Sequence, residues 1–88
     1  MTTALYTHAS SATHDTGEGH PERIARIEAV NAALSGASWA ALKRSDAPLA
    51  TREQLKRVHV GGYVDLVLDN IPEQGYARLD ADTVLSPG

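Results

Sequence analysis

Residues 13–30 read THDTGEGHPERIARIEAV. The first half is a polar loop holding His14, Asp15, Glu18 and His20 around Gly17 and Gly19. The second half carries Ile24, Ile27 and Val30 or Asn31, followed by Leu34, at helical spacing. Residues three and four apart share one face of a helix, so the spacing predicts an amphipathic helix from Pro21 to about Leu34. Pro21 suits a first helical position, where its missing N–H needs no partner, and Glu22 suits the positive end of the helix dipole. Gly36 suits the stop. The loop ahead of this helix is either a binding surface or a polar turn feeding a strong helix start.

Working outward, TALYT (3–7) alternates as a strand does. In SWAALKRSDAPLA (38–50), Trp39 and Leu42 are expected to pack back on the first helix, and APLA (47–50) reads as a short strand or turn. Thr51 and Gln54 form the capping-box pattern, so a second helix should begin at Thr51 and carry Leu55 and Val58 inward. Tyr63, Val64, Val67 and Leu68 share a helical face in GGYVDLVLDN (61–70), which predicts a third helix after Gly61 or Gly62, ended by Pro72 and Gly75. YARLDADTVLSPG (76–88) reads as a short extended run with an irregular tail. The order strand, helix, helix, helix leaves a strand without sheet partners, as if an α/β architecture had been started and not completed.

The composition limits what such a chain can do alone. Its 88 residues include no cysteine and no phenylalanine, one tryptophan and three tyrosines. A disulfide framework and a cysteine-based zinc knuckle are excluded. The net charge of −3 and the absence of a cationic patch argue against nucleic acid or an anionic membrane as partner. Arg23, Arg26, Lys43, Arg44, Arg52, Lys56 and Arg57 alternate with acids and read as solvated helix faces. No apolar run approaches a membrane span, and MTTALYTHA lacks the features of a signal peptide, so a cytoplasmic location is expected.

His8, His14 and His20 lie six residues apart with Asp15, Glu18 and Glu22 among them. Imidazole and carboxylate are zinc ligands, but a Thr- and Gly-rich loop does not hold ligands rigidly, and polar loop histidines with His20 near the helix cap are the preferred reading. His59 is expected to be partly buried and bonded to backbone. Asp69, Asp80 and Asp82 give a weak divalent-cation signal, with Asp80 and Asp82 alternating along an extended stretch. No nucleophile elbow, P-loop or dinucleotide fingerprint is present.

The segments HDTGEGHPERIARIEAV (14–30), ATREQLKRVHVGGYVDLV (50–67) and LDADTVLSPG (79–88), in this order and at this separation, resemble the N-terminal region of histone deacetylase-like proteins. That superfamily includes bacterial acetoin-utilisation proteins, acetylpolyamine amidohydrolases and class II histone deacetylases. The resemblance runs from Leu5 to Gly88. It implies an arginase-like, three-layer α/β/α fold around a mostly parallel sheet, this segment being mostly helical. It also implies a zinc ion, held by two aspartates and a histidine, that activates water for amide hydrolysis, with paired histidines as acid and base. Neither paired histidines nor an Asp-x-His stretch occurs in residues 1–88.

What the resemblance does place here is the rim of the site. His20 and Pro21 match the His-Pro of the first active-site loop, a wall of the substrate mouth. Arg26 matches an arginine near the product channel, where a buried guanidinium suits an acetate carboxylate. Asp82 falls where relatives carry a residue that accepts hydrogen bonds from substrate amides. Many relatives have Pro in place of Ile24.

The expectation is therefore an incomplete N-terminal segment of a single zinc-dependent deacetylase domain. It would bind no zinc and be inactive alone, its partners being the remainder of the domain and an acetylated small molecule or acetyl-lysine. The alternative is a small stand-alone binding module with a histidine-rich loop.

Overall fold

The computed structural model describes residues 1–88 as mixed α/β, with three α-helices and four short strands. It divides into two units, one formed by Met1–Asp15 with Pro21–Pro48 and the other by Thr16–His20 with Leu49–Gly88.

The first unit is a strand–helix–strand crossover. Strand β1 (Ala4–Thr7) pairs in parallel with β2 (Lys43–Asp46), Ala4 opposite Lys43 and Thr7 opposite Asp46. Helix α1 (Ile24–Leu34) lies between them in sequence. Parallel strands require such a crossover, since no tight turn can reverse the chain twice. The ladder extends past both ends, with Lys43 N–H donating to Thr3 O at 3.0 Å and Ala47 N–H to Thr7 O at 2.7 Å. The Arg44 guanidinium donates to the Leu34 carbonyl, satisfying an acceptor at the negative end of α1.

Several expectations are corrected here. The strand is KRSD, not APLA, so β1 does have a sheet partner, and Lys43 and Arg44 lie on a strand. Helix α1 begins three residues later than Pro21: Arg23 is the extended residue at its start (φ −149°, ψ 160°). Glu22 therefore precedes the first turn, and its carboxylate instead accepts from Arg26 Nε at 2.9 Å. Leu34 is the last residue of α1, as the spacing requires, followed by the C-cap Ser35, whose hydroxyl donates to Ala32 O at 2.7 Å, and then by Gly36. Ile24, Ile27 and Leu34 are half-buried along one stripe, whereas Val30, expected on it, is 39 % exposed. Trp39 is 46 % exposed. With Leu42 it borders a hollow shared with Met1 and Thr3, just ahead of β1, whose lining includes no residue of α1.

The second unit contains helix α2 (Arg52–Lys56), helix α3 (Gly61–Asp69) and an antiparallel hairpin of β3 (Ala77–Arg78) and β4 (Val84–Leu85). The capping box is present in full: Gln54 N–H donates to Thr51 Oγ1 at 3.1 Å, and Thr51 N–H to Gln54 Oε1 at 2.9 Å. Helix α3 buries Val64 and half-buries Val67 and Leu68, while Leu55 from α2 joins them around an open apolar hollow of about 140 Å³. Val58 lies beyond the end of α2 and is 80 % exposed. The chain turns there, Val58 and His59 N–H both donating to Leu55 O, so the position expected to point inward does not. The tail is a hairpin rather than an irregular run. Helices take 11, 5 and 9 residues and strands 4, 4, 2 and 2, so the segment is richer in helix than in strand without being mostly helical.

Only Val64 and Val84 are buried apolar side chains, each 4 % exposed, in a chain with 6942 Å² of accessible surface. A folded monomer of this mass exposes about 5,000 Å², or about 6,000 Å² if counted as two bodies of half the mass. No helix is long and apolar enough to cross a membrane.

Candidate functional site

Two loops of the second unit meet through His20 and Asp82. The first, residues 16–20, starts at the buried Thr16 and makes a turn closed by His20 N–H donating to Gly17 O at 3.4 Å. Gly19, third in that turn, has φ +81°, the left-handed value that a type II turn demands and that glycine adopts without a steric penalty. Gly17 at φ +92° is in the same region. The two glycines of TGEGH thus shape the loop and aim the imidazole.

The second loop joins β3 to β4. Leu79 N–H donates to Thr83 O at 2.9 Å, closing the hairpin. Inside it, Asp80 Oδ1 accepts from the backbone N–H of Asp82 and of Thr83, both at 2.8 Å, an Asx-type turn. Hydrogen bonding holds the Asp80 carboxyl below the usual aspartate range, the Asp82 N–H contributing most, the Thr83 side chain next and the Thr83 N–H least. The loop is bent, so the expected extended alternation of Asp80 and Asp82 does not occur. The Asp82 carbonyl accepts from His20 Nε2–H at 2.7 Å across 62 residues of sequence, and the Asp82 side chain is exposed. His20, half-buried, is tied to the hairpin rather than placed at the helix cap.

The other sequence-selected residues go elsewhere. Pro21 is exposed directly after His20. The Arg26 side chain is 58 % exposed and paired with Glu22, so the expected burial of its guanidinium is absent in this chain. His8 caps a 3₁₀ turn (Ala9–Ala12), its Nδ1 accepting from Ser10 N–H at 3.1 Å. His14 is exposed. His59 is exposed rather than partly buried, its ring 6.1 Å from that of Tyr63. Asp69 pairs with Arg52 at 3.4 Å. No three His, Asp or Glu side chains converge as a metal-ligand group.

In the first unit, an open hollow of about 210 Å³ lies at the carboxyl ends of β1 and β2, bordered by Tyr6, His8, Ser11, Ile27 and Asn31. Open α/β sheets bind ligands at that end of their strands.

Sequence reasoning undervalued two acids. Asp80 looked like half of a weak cation site, although Asp two and three residues ahead of backbone donors is the ordinary turn signature. Asp65 clamps α2 to α3, accepting from Arg52 at 2.7 Å and Lys56 at 3.2 Å, and its carboxyl is lowered first by Arg52 and then by Lys56.

Both carboxyls have folded-state values below the ordinary 3.8. What they contribute is therefore fully present above that value and lost as pH falls through the lowered one. Following the Asp82 and Thr83 amide signals from about pH 6 to about pH 2 should show them moving together in a step below the ordinary aspartate range. A step at or above that range would contradict the assignment.

No protein-family model matches the chain, and no curated protein matches it.

Proposed function

We propose that residues 1–88 are the N-terminal portion of a zinc-dependent amidohydrolase domain that resembles the histone deacetylase-like superfamily. The domain would remove acetyl groups from acetyl-lysine, acetylpolyamines or related amides and would have the arginase-like α/β fold. The observation that carries the reading is the His20–Asp82 hydrogen bond. Two loops that the resemblance assigns to one substrate mouth, but that lie far apart in sequence, are joined by a direct contact.

Two further features support it. The crossover of β1, α1 and β2 is the building unit of a parallel α/β sheet. Ile24, where many relatives have Pro, is the first residue of α1, the helical position that best tolerates Pro. The substitution is thus compatible with the same helix start.

On this reading His20 and Pro21 form one wall of the mouth. Asp82, fixed through its backbone, offers its carboxylate to substrate amides. Arg26 takes the product carboxylate, for which it must exchange its present partner Glu22. The zinc ligands and the acid–base pair belong to residues outside 1–88. A cytoplasmic location goes with this assignment.

The test is expression of the complete reading frame that contains residues 1–88, followed by acetate-release assays on an acetyl-lysine peptide and N-acetylputrescine. Acetate release that stops on chelation and returns with zinc is expected. A folded product that releases acetate from neither substrate with zinc supplied would overturn the proposal. Stoichiometric zinc binding by residues 1–88 alone, lost in His14→Ala, would favour the stand-alone histidine-loop module instead.

A further inference from the structure

We infer that Asp80 is the positioning residue of this mouth: its carboxylate fixes the backbone of residue 82, and through it the loop that carries His20. The kinetic part of the inference rests on the amidohydrolase reading; the structural part does not.

The geometry is a clamp on one residue from two sides. Asp82 and Thr83 N–H are both held by Asp80 Oδ1 at 2.8 Å, while the Asp82 carbonyl is held by His20 Nε2–H at 2.7 Å. With both of its backbone polar groups engaged, Asp82 has one polar group left to meet a ligand, its exposed carboxylate. The loop closure from Leu79 N–H to Thr83 O brackets the same five residues, so the peptide around residue 82 has little room to rotate. A rotation that turned the Asp82 carbonyl away would break its bond to His20 and loosen the hairpin's hold on the loop that carries the imidazole. Asp80 therefore acts on ligand binding through Asp82 and His20 without touching the ligand.

A carboxylate that only tightened its own hairpin would have no influence on residues 16–20. That difference gives the test. In the protein from the complete reading frame, Asp80→Ala is expected to accelerate amide exchange at residues 82–83 and at residues 16–20 by about tenfold or more, the effect of losing a charge-assisted hydrogen bond. Exchange in 24–34 and 61–69 should be unchanged, which separates the effect from general unfolding. Asp80→Asn, which keeps a side-chain oxygen acceptor, should restore most of the protection. In the acetate-release assay Asp80→Ala should raise KM about tenfold with kcat within about twofold, since uniform binding is what the wall supplies. Asp82→Ala should raise KM while leaving exchange at 16–20 as it was.

Unchanged exchange at 16–20 in Asp80→Ala would overturn the inference, as would a fall in kcat at constant KM. If the parent protein releases no acetate, the functional reading fails and the exchange measurements still decide whether Asp80 couples the two loops.

Discussion

The 88-residue chain, purified by itself, is expected to release no acetate from acetyl-lysine or acetylpolyamine substrates, with or without added zinc. The amide hydrolysis implied by the resemblance needs a metal-held water and an acid–base pair, and enzymes supply about 10⁶-fold acceleration or more by such means. Residues 1–88 contain no paired histidines and no Asp-x-His stretch, and no three potential ligands converge. Two of the four histidines are engaged in hydrogen bonds within the fold, His8 with Ser10 and His20 with Asp82. The whole catalytic effect should therefore be missing, not a fraction of it. Chelator-sensitive turnover by the homogeneous 88-residue protein would show that the ligand set had been misjudged.

The second large effect is on folding. The same isolated chain is expected to give no sharp thermal transition as a monomer and to self-associate as its concentration rises. Val64 and Val84 are the only buried apolar side chains, so little apolar burial opposes the conformational entropy lost on folding. The half-covered stripe of α1 and the hollow beside α3 would both gain from a partner surface. Calorimetry together with sedimentation velocity checks this directly. A cooperative transition from a species that stays monomeric would mean that the core is sufficient.

What could be read from the sequence was what the chain encodes over a few residues. The capping box at Thr51 and Gln54 and the apolar face of α3 need only neighbours three and four positions away. Strand β2 was not readable for the opposite reason. KRSD has no apolar alternation, all four residues are exposed, and its extended state is set by hydrogen bonds to β1 some forty positions earlier. The start of α1 was misplaced because Pro21 and Glu22 satisfy the local rules for a helix entrance, whereas the Glu22–Arg26 pair uses Glu22 in another way. The candidate site divides along the same line. The choice of His20 and Asp82 came from the resemblance; the bond between them, and the part of Asp80 in holding it, depend on a contact spanning 62 residues that spacing alone cannot express.

The parallel pairing of β1 with β2 also has a consequence in time. Closing a flexible loop costs free energy that grows with the logarithm of its length, and contacts distant in sequence form late. The β3–β4 hairpin brings Arg78 to Val84 across a handful of residues, an event of about 1–10 μs in isolated hairpins. Ala4 meets Lys43 only after the intervening chain, α1 included, has been arranged to let it. During synthesis β1 leaves the ribosome well before β2 and must wait, without this partner, until KRSD has emerged. The strand of this pair that is made earlier is thus secured only once the later one arrives.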